Sequence, residues 1–272
     1  MNYFQREKRV FCGSSKRTAQ YQEVEIYPMT STDGCRAYDR QVGRRPRGTP
    51  EAQRNHNAKA ARRFFTQLVN TNFTEKDLHA TLTYADEYLP ADPEQAERDY
   101  NNFLRHLAVK CKAGGLPKPE ALGVIEYQAP GEGQKPVRFH VHVLLRCQLS
   151  RDEVEACWHR RGRRLGRANA DRLQMDKGSL EALASYLMKY TNRKHRWKRT
   201  RGIRDPIVAP PRDGKYTRRE VARIAQDAAL LHSPAFWARK YPGWELNEAQ
   251  AVYNEISGWY LSLKMRRRKK GG

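Results

Sequence analysis

The chain has 272 residues, enough for one substantial core with flanking elements. Its 52 Lys and Arg against 30 Asp and Glu leave a net charge of +22, which calls for a polyanionic partner and predicts salt-sensitive attraction to nucleic acid. There is no secretory signal, no apolar run of membrane-spanning length and no G-x-x-x-x-G-K-[ST] loop, so the reading is a cytoplasmic protein with no membrane partner and no ATP-driven helicase of that type.

Residues 1 to 48 are polar and turn-rich, with a strand expected over Tyr21 to Tyr27 and a basic linker over Gly43 to Pro50. A helix is predicted over Glu51 to Val69. Thr81-Leu82-Thr83-Tyr84 reads as a central strand, and Asp86 just after it as a turn or cap residue ahead of a spare ligand or DNA contact. Pro93 to about Lys112 is a helix with Ala96, Tyr100, Phe103, Leu104 and Leu107 on one face. Leu122 to Tyr127 is an apolar strand, Pro130-Gly131-Glu132-Gly133 a turn, and Phe139 to Val143 a second strand, together a hairpin. Ser150 with Glu153 three residues on is a capping box for a short helix through Trp158. An edge strand is expected over Leu173 to Met175, then a helix capped by Ser179 with Leu180, Leu183 and Leu187 facing a core. Beyond Pro206, Thr217 to Leu231 and Asn247 to Lys264 have helical tendencies. Gly258 interrupts the second, with strand over Tyr253-Asn254-Glu255 as the alternative, and Tyr241-Pro242-Gly243-Trp244 is a turn. The mixture is α+β: a central antiparallel sheet with helices on one face and the chemistry on the other, plus helical extensions.

Successive side chains of a strand point to opposite faces, so His140 and His142 share one face while Phe139, Val141 and Val143 share the other. A lone His-x-His triplet arises easily by chance; the hairpin gives it meaning by bringing Glu126 beside both imidazoles. Two neutral imidazoles and a carboxylate suit Mn²⁺ or Mg²⁺ acting on a phosphate oxygen, and imidazoles also accept Zn²⁺, Ni²⁺ or Cu²⁺. On the Ser179 helix, at about 100° per residue, Tyr186 and Tyr190 lie about 40° apart, with Lys189 and Arg193 within about 60° of Tyr186. A phenol, with an ordinary pKa near 10, is a poor nucleophile until nearby cations stabilise the phenolate.

The ordered set Thr81-Leu82-Thr83-Tyr84, His140-Val141-His142 and Tyr186-Leu187-Met188-Lys189 resembles the three motifs of the HUH endonuclease superfamily, which includes rolling-circle replication initiators of plasmids and phages. The resemblance runs from about Asn70 to Lys264, through Thr71-Asn72-Phe73 with Asp77, Ala168 to Gln174, and Tyr241-Pro242-Gly243, stretches that look like mobile-element Rep proteins. It implies His140 and His142 as metal ligands, Glu126 as the third, Tyr186 as the nucleophile and Lys189 as its helper. Attack by Tyr186 would leave a 5′-phosphotyrosine and a free 3′ hydroxyl, so the strand can be rejoined. Some relatives alternate two tyrosines in this arrangement and others use only the first, so Tyr190 is left open between a second nucleophile and a packing residue. The implied partner is single-stranded DNA at a replication origin, with strand separation left to a host or element-encoded helicase or to supercoiling.

Between Thr191 and Arg218 there are ten Lys or Arg and two Asp, immediately after the tyrosine helix. Arg193, Lys194, Arg196, Lys198, Arg199 and Arg201 are expected to meet phosphates while Trp197 stacks on a base. The tail from Lys264 to Lys270 reads as a flexible basic arm. Cys12, Cys35, Cys111, Cys147 and Cys157 are odd in number and lack C-x-x-C spacing, which argues for reduced cytoplasmic thiols rather than a disulfide framework, and the resemblance implies a bacterial or phage-infected cell. Three segments follow: 1–69, an N-terminal extension and helix; 70–205, the endonuclease domain; and 206–272, an accessory region with the basic tail. Two other functions fit the same residues, an HUH transposase or relaxase for DNA transfer and a non-catalytic basic nucleic-acid-binding protein.

Overall fold

The computed structural model describes residues 3–30, 50–128, 137–188 and 197–268. The Pro130–Gly133 turn, residues 43–49 of the linker, and Lys189, Tyr190, Arg193, Lys194 and Arg196 lie outside the described residues. In chain order the elements are β1 (Tyr3–Cys12), β2 (Tyr21–Thr30), α1 (Pro50–Asn72), β3 (Leu78–Thr83), α2 (Pro93–Ala113), β4 (Glu120–Gln128), β5 (Val137–Arg146), α3 (Arg151–Ala156), β6 (His159–Arg160), β7 (Arg163–Arg164), β8 (Ala168–Arg172), α4 (Glu181–Leu187), β9 (Lys198–Arg199), β10 (Ile207–Val208), β11 (Arg212–Asp213), α5 (Arg218–Gln226), α6 (Ala228–Leu231), α7 (Pro234–Lys240), β12 (Trp244–Asn254) and β13 (Gly258–Arg267). They make an α+β fold in two compact units, one of Ala60–Asp176 with Leu180–Arg204, the other of Met1–Lys59, Lys177–Ser179 and Asp205–Gly272. Among the described residues no helix is long and apolar enough to cross a membrane.

The Ala60–Asp176 unit is built on a five-stranded antiparallel sheet in the order β8-β3-β5-β4-β9. Strict alternation sorts its residues. Leu78, Ala80 and Leu82 of β3 and Phe139, Val141, Val143 and Leu145 of β5 share a core with Tyr100, Phe103 and Leu107 of α2 and with Val154 of α3. Helix α2 starts where Asp92 accepts a hydrogen bond from the Gln95 amide at 2.6 Å with Pro93 in the first turn, a strong start signal. Gly123 is required beneath it, because a Cβ there would lie 2.4 Å from the Tyr100 ring. The Ser150 and Glu153 capping box opens α3 with both reciprocal bonds in place.

The opposite face is divided. At one end Leu122, Val124 and Leu144 are buried with Phe65, Leu68 and Val69 of α1 and Leu180, Ala184 and Leu187 of α4. Helices therefore pack on both faces of the sheet rather than on one, and His140 is partly exposed while Glu126 opposite it is buried. Two local expectations need correction. The edge strand is Ala168–Arg172, not Leu173–Met175, because Ala168 and Ala170 alternate into the core and Leu173 instead donates to the Asp77 carbonyl at 3.0 Å. Ser179 is not the N-cap of α4: Leu180 holds that position without a side-chain cap, and its amide donates to Asn70 Oδ1 on α1 at 2.9 Å.

In the second unit, strands from both flanks of the chain form one sheet, β10-β1-β2-β13-β12, with β11 also on β1. The sequence reading did not anticipate this pairing. Val24, Ile26, Leu261 and Leu263 form its core with Val221 and Ile224 of α5 and Phe236 and Trp237 of α7. The helix expected over Asn247 to Lys264 is instead the β12–β13 hairpin, turning at Gly258 with φ +97°. Leu261, Leu263 and Met265 recur at period two and are buried, which decides for strand. The start of the basic tail is likewise part of β13, where Lys264 and Arg266 pair with Glu248 and Glu245 at 2.7 and 2.8 Å.

Candidate metal and tyrosine site

The β3–β5–β4 register assembles the site. His140 stands opposite Glu126 on β4 and Thr83 on β3, and His142 opposite Val124 and Thr81. Glu126, His140 and His142 offer one ligand atom each within 4.8 Å of one another, and Glu126 and His142 are each only 3% exposed. His140 Nε2 lies 3.0 Å and His142 Nε2 4.0 Å from Glu126 Oε2.

The hydrogen bonds behind the imidazoles orient them. His140 Nδ1 is 2.9 Å from the Arg138 carbonyl, which can only accept, so Nδ1 carries the proton and Nε2 faces Glu126. His142 Nδ1 sits 3.1 Å from His79 Nε2 and 3.3 Å from Thr81 Oγ1, and a proton there leaves the Nε2 lone pair facing inward. His142 Nε2 and Glu126 Oε1 are buried with no hydrogen-bond partner among the described residues. Each such atom costs about 1–3 kcal/mol, and one divalent cation would satisfy both. The donor set therefore fits a metal on an observation independent of the motif.

Electrostatics keep His142 in ligand form. Burial first, then the neighbouring His140 and His79, depress its pKa to about 3, so the ring is neutral across the working range. His140 behaves differently. Burial pushes it down, but the Glu126 and Arg138 bonds outweigh this and its pKa ends above the ordinary value. Burial lowers His79, with Asp171 opposing.

Tyr186 projects from α4 beside this cluster, its ring 5.7 Å from His142 in an edge-on arrangement and 54% exposed. The three expected ligands and the expected nucleophile are thus adjacent. Lys189 and Tyr190 follow outside the described residues. Asp86 is not part of the cluster; it pairs with Arg138 at 2.7 Å. Of the basic strip, Arg199 and Arg201 are exposed, while Lys198 is bound to Glu97 at 2.5 Å. Trp197 is half-buried against Phe65 and Phe64, with ring centroids 5.4 and 6.3 Å away, so only part of its ring is open to a base.

His79 is the site residue that sequence reasoning missed. Its signal was there: it lies two residues before Thr81, so any strand through Thr81 puts it on the same face. Its ring stacks on His142 at 5.2 Å, and its Nε2 lies 3.1 Å from His142 Nδ1.

No curated protein and no solved structure matches the chain. Residues 77–195, less than half of the chain but including Glu126, His140, His142 and Tyr186, match the family model of the ORF2-type replication-associated proteins, which is consistent with a replication initiator.

Proposed function

We propose that the chain is a site-specific DNA nicking and joining enzyme of the HUH type that initiates rolling-circle replication. The observation that carries this reading is the Tyr186 ring edge-on to His142, beside the Glu126, His140 and His142 cluster in which buried Glu126 Oε1 and His142 Nε2 have no hydrogen-bond partner among the described residues. A divalent cation held by Glu126, His140 and His142, Mn²⁺ or Mg²⁺ in our reading, supplies Lewis-acid polarisation of the scissile phosphodiester when bound. His79 and Thr81 hold the His142 ring in its ligand tautomer, and the Arg138 carbonyl does so for His140. Tyr186 Oη gives up its proton to solvent and attacks phosphorus, the new bond forms as the bond to the 3′ oxygen breaks, and the departing 3′ oxygen takes up a proton from solvent. Because the phosphodiester is conserved in the phosphotyrosine link, the 3′ hydroxyl can return and reseal the strand.

Lys189 is assigned to the phenolate or phosphate, and Tyr190 is either a second nucleophile or a packing residue. Arg193, Lys194, Arg196, Arg199 and Arg201 are assigned to the single strand at the origin. Residues 70–205 form the catalytic segment in this reading, with 1–69 and 206–272 as accessories. Strand separation is assigned to a host or element-encoded helicase or to supercoiling, and the setting to the cytoplasm.

The test is incubation of the full chain with Mn²⁺ and a labelled single-stranded oligonucleotide from the origin of the element that encodes it. A denaturation-resistant adduct is expected, absent from Tyr186→Phe, and mass spectrometry of the adducted peptide separates Tyr186 from Tyr190. A chain that shifts the oligonucleotide without ever becoming attached to it is a binding protein, and the enzymatic reading is lost.

A further inference from the structure

We propose that the cavity beside Glu7, in the Met1–Lys59 and Asp205–Gly272 unit, is a nucleotide subsite that seats one amino-bearing base of a DNA strand. It encloses about 190 Å³ between β1 and the connection from β10 to β11, with Glu7, Arg9, Phe11, Lys16, Pro210 and Arg212 among its walls. Sites for whole small molecules span roughly 300–1,000 Å³, so this one fits a piece of a ligand.

Glu7 makes it a built site. The residue is 1% exposed, and its Oε1 accepts from Lys215 Nζ at 2.5 Å and from the Tyr241 hydroxyl at 2.6 Å. Its Oε2 is buried with no partner among the described residues, and Glu7 is one of the residues that line the cavity. An acceptor at that depth demands a donor.

The surroundings say which kind. A cationic donor would meet Arg9, Lys215 and Arg212. Burial, and behind it the like charges of Arg9 and Arg212, already hold the Lys215 pKa below its ordinary value despite its bond to Glu7. A neutral N–H carried by an anionic molecule satisfies both halves, with the amino group on Glu7 Oε2 and the phosphate on Lys16 and Arg212, which are exposed. Arg9 is less available, since Gln22 Oε1 holds its guanidinium at 2.7 Å above the Phe11 and Tyr241 rings, so it serves as wall. Cytosine offers such an amino group where thymine presents a carbonyl, which a carboxylate repels.

The inference rests on the reading that the chain handles DNA, and is independent of the tyrosine chemistry. Full-length Tyr186→Phe protein, which cannot attach to its substrate, is titrated with fluorescent oligodeoxycytidylate and oligodeoxythymidylate at several salt concentrations. Cytidylate should bind about tenfold tighter or more, as expected for one hydrogen bond to a buried charged group, and adding Glu7→Gln should bring the two together. Replacing Lys16 and Arg212 by Ala, both on the surface, should reduce the salt slope by about one to two. A cytidylate preference that survives Glu7→Gln, or a salt slope that does not move, overturns the subsite. If Glu7→Gln fails to fold, the Lys16 and Arg212 arm decides. Protein that binds neither polymer overturns the DNA reading itself, so the two failures are distinguishable.

Discussion

Two ends of one sheet face, a few residues apart on the same strands, do opposite work. Where Leu122 pairs with Leu144, side chains are sealed with α1 and α4, and every apolar contact is satisfied. Where Glu126 pairs with His140, the same alternation presents nitrogen and oxygen atoms, two of which, Glu126 Oε1 and His142 Nε2, are buried without a partner among the described residues. The backbone does not distinguish these ends; the side chains do. The sealed end, with the α2 core behind it, fixes the register that brings Glu126 opposite His140. A shift of one residue would turn His140 and His142 into the core and Val141 out. Stability at one end is therefore what allows unsatisfied polarity at the other.

Substitutions test this division. Tyr186→Phe should remove the covalent adduct entirely in a denaturing gel while leaving Mn²⁺ binding by calorimetry unchanged; loss of both would mean that the tyrosine belongs to the metal site itself. His142→Ala should weaken Mn²⁺ binding by more than about 100-fold, beyond the ~10–100-fold typical of an outer partner, with the melting transition of the metal-free protein retained. At the sealed end, Leu122→Ala should cost about 2–5 kcal/mol in denaturant unfolding, yet cleavage per folded molecule should hold. Cleavage that collapses with Leu122 would show that the ends are not separable. His79→Ala is expected to fall between, lowering Mn²⁺ affinity by about 10–100-fold with the ligands untouched.

The smallest effect concerns pH. Because the folded pKa of His140 is raised, its pairing with Glu126 stabilises the metal-free protein fully below the unfolded value of about 6.5, and that stability is lost as pH rises through the folded value. Metal binding runs the other way, since the ion must displace that proton. Mn²⁺ affinity should fall about tenfold per pH unit below the His140 pKa and level off above it. A flat calorimetric profile across that window would remove His140 from the ligand set.

What could be read from the sequence follows the same physics. The strands around His140 and Glu126 were legible because one face is apolar and alternates cleanly, α2 because Ala96, Tyr100, Phe103, Leu104 and Leu107 recur on one face after Pro93, and α3 because Ser150 and Glu153 form a capping box. Strand β1 was not legible. Its inward residues include Gln5 and Glu7, 3% and 1% exposed, so the buried face carries polar side chains where a pattern search expects apolar ones. The β12–β13 hairpin was misread because Glu245 and Arg266, and Glu248 and Lys264, neutralise each other across strands, and in one dimension such charges look like a solvated helix. His79 went unmarked because its partner, His142, is 63 residues away in the chain.

The pairing of β2 with β13, Ile26 against Leu261 and Glu23 against Lys264, has a consequence for biosynthesis. A ribosome delivers β1 and β2 long before β13, and an isolated two-stranded ribbon is marginal in water. The strands from Leu78 to Arg172, by contrast, emerge as neighbours and can join as they leave the exit tunnel. The β1–β2 hairpin gains its β13 neighbour only once residues 258–267 are made, so a nonsense codon between residues 30 and 258 would leave the β2 edge without it.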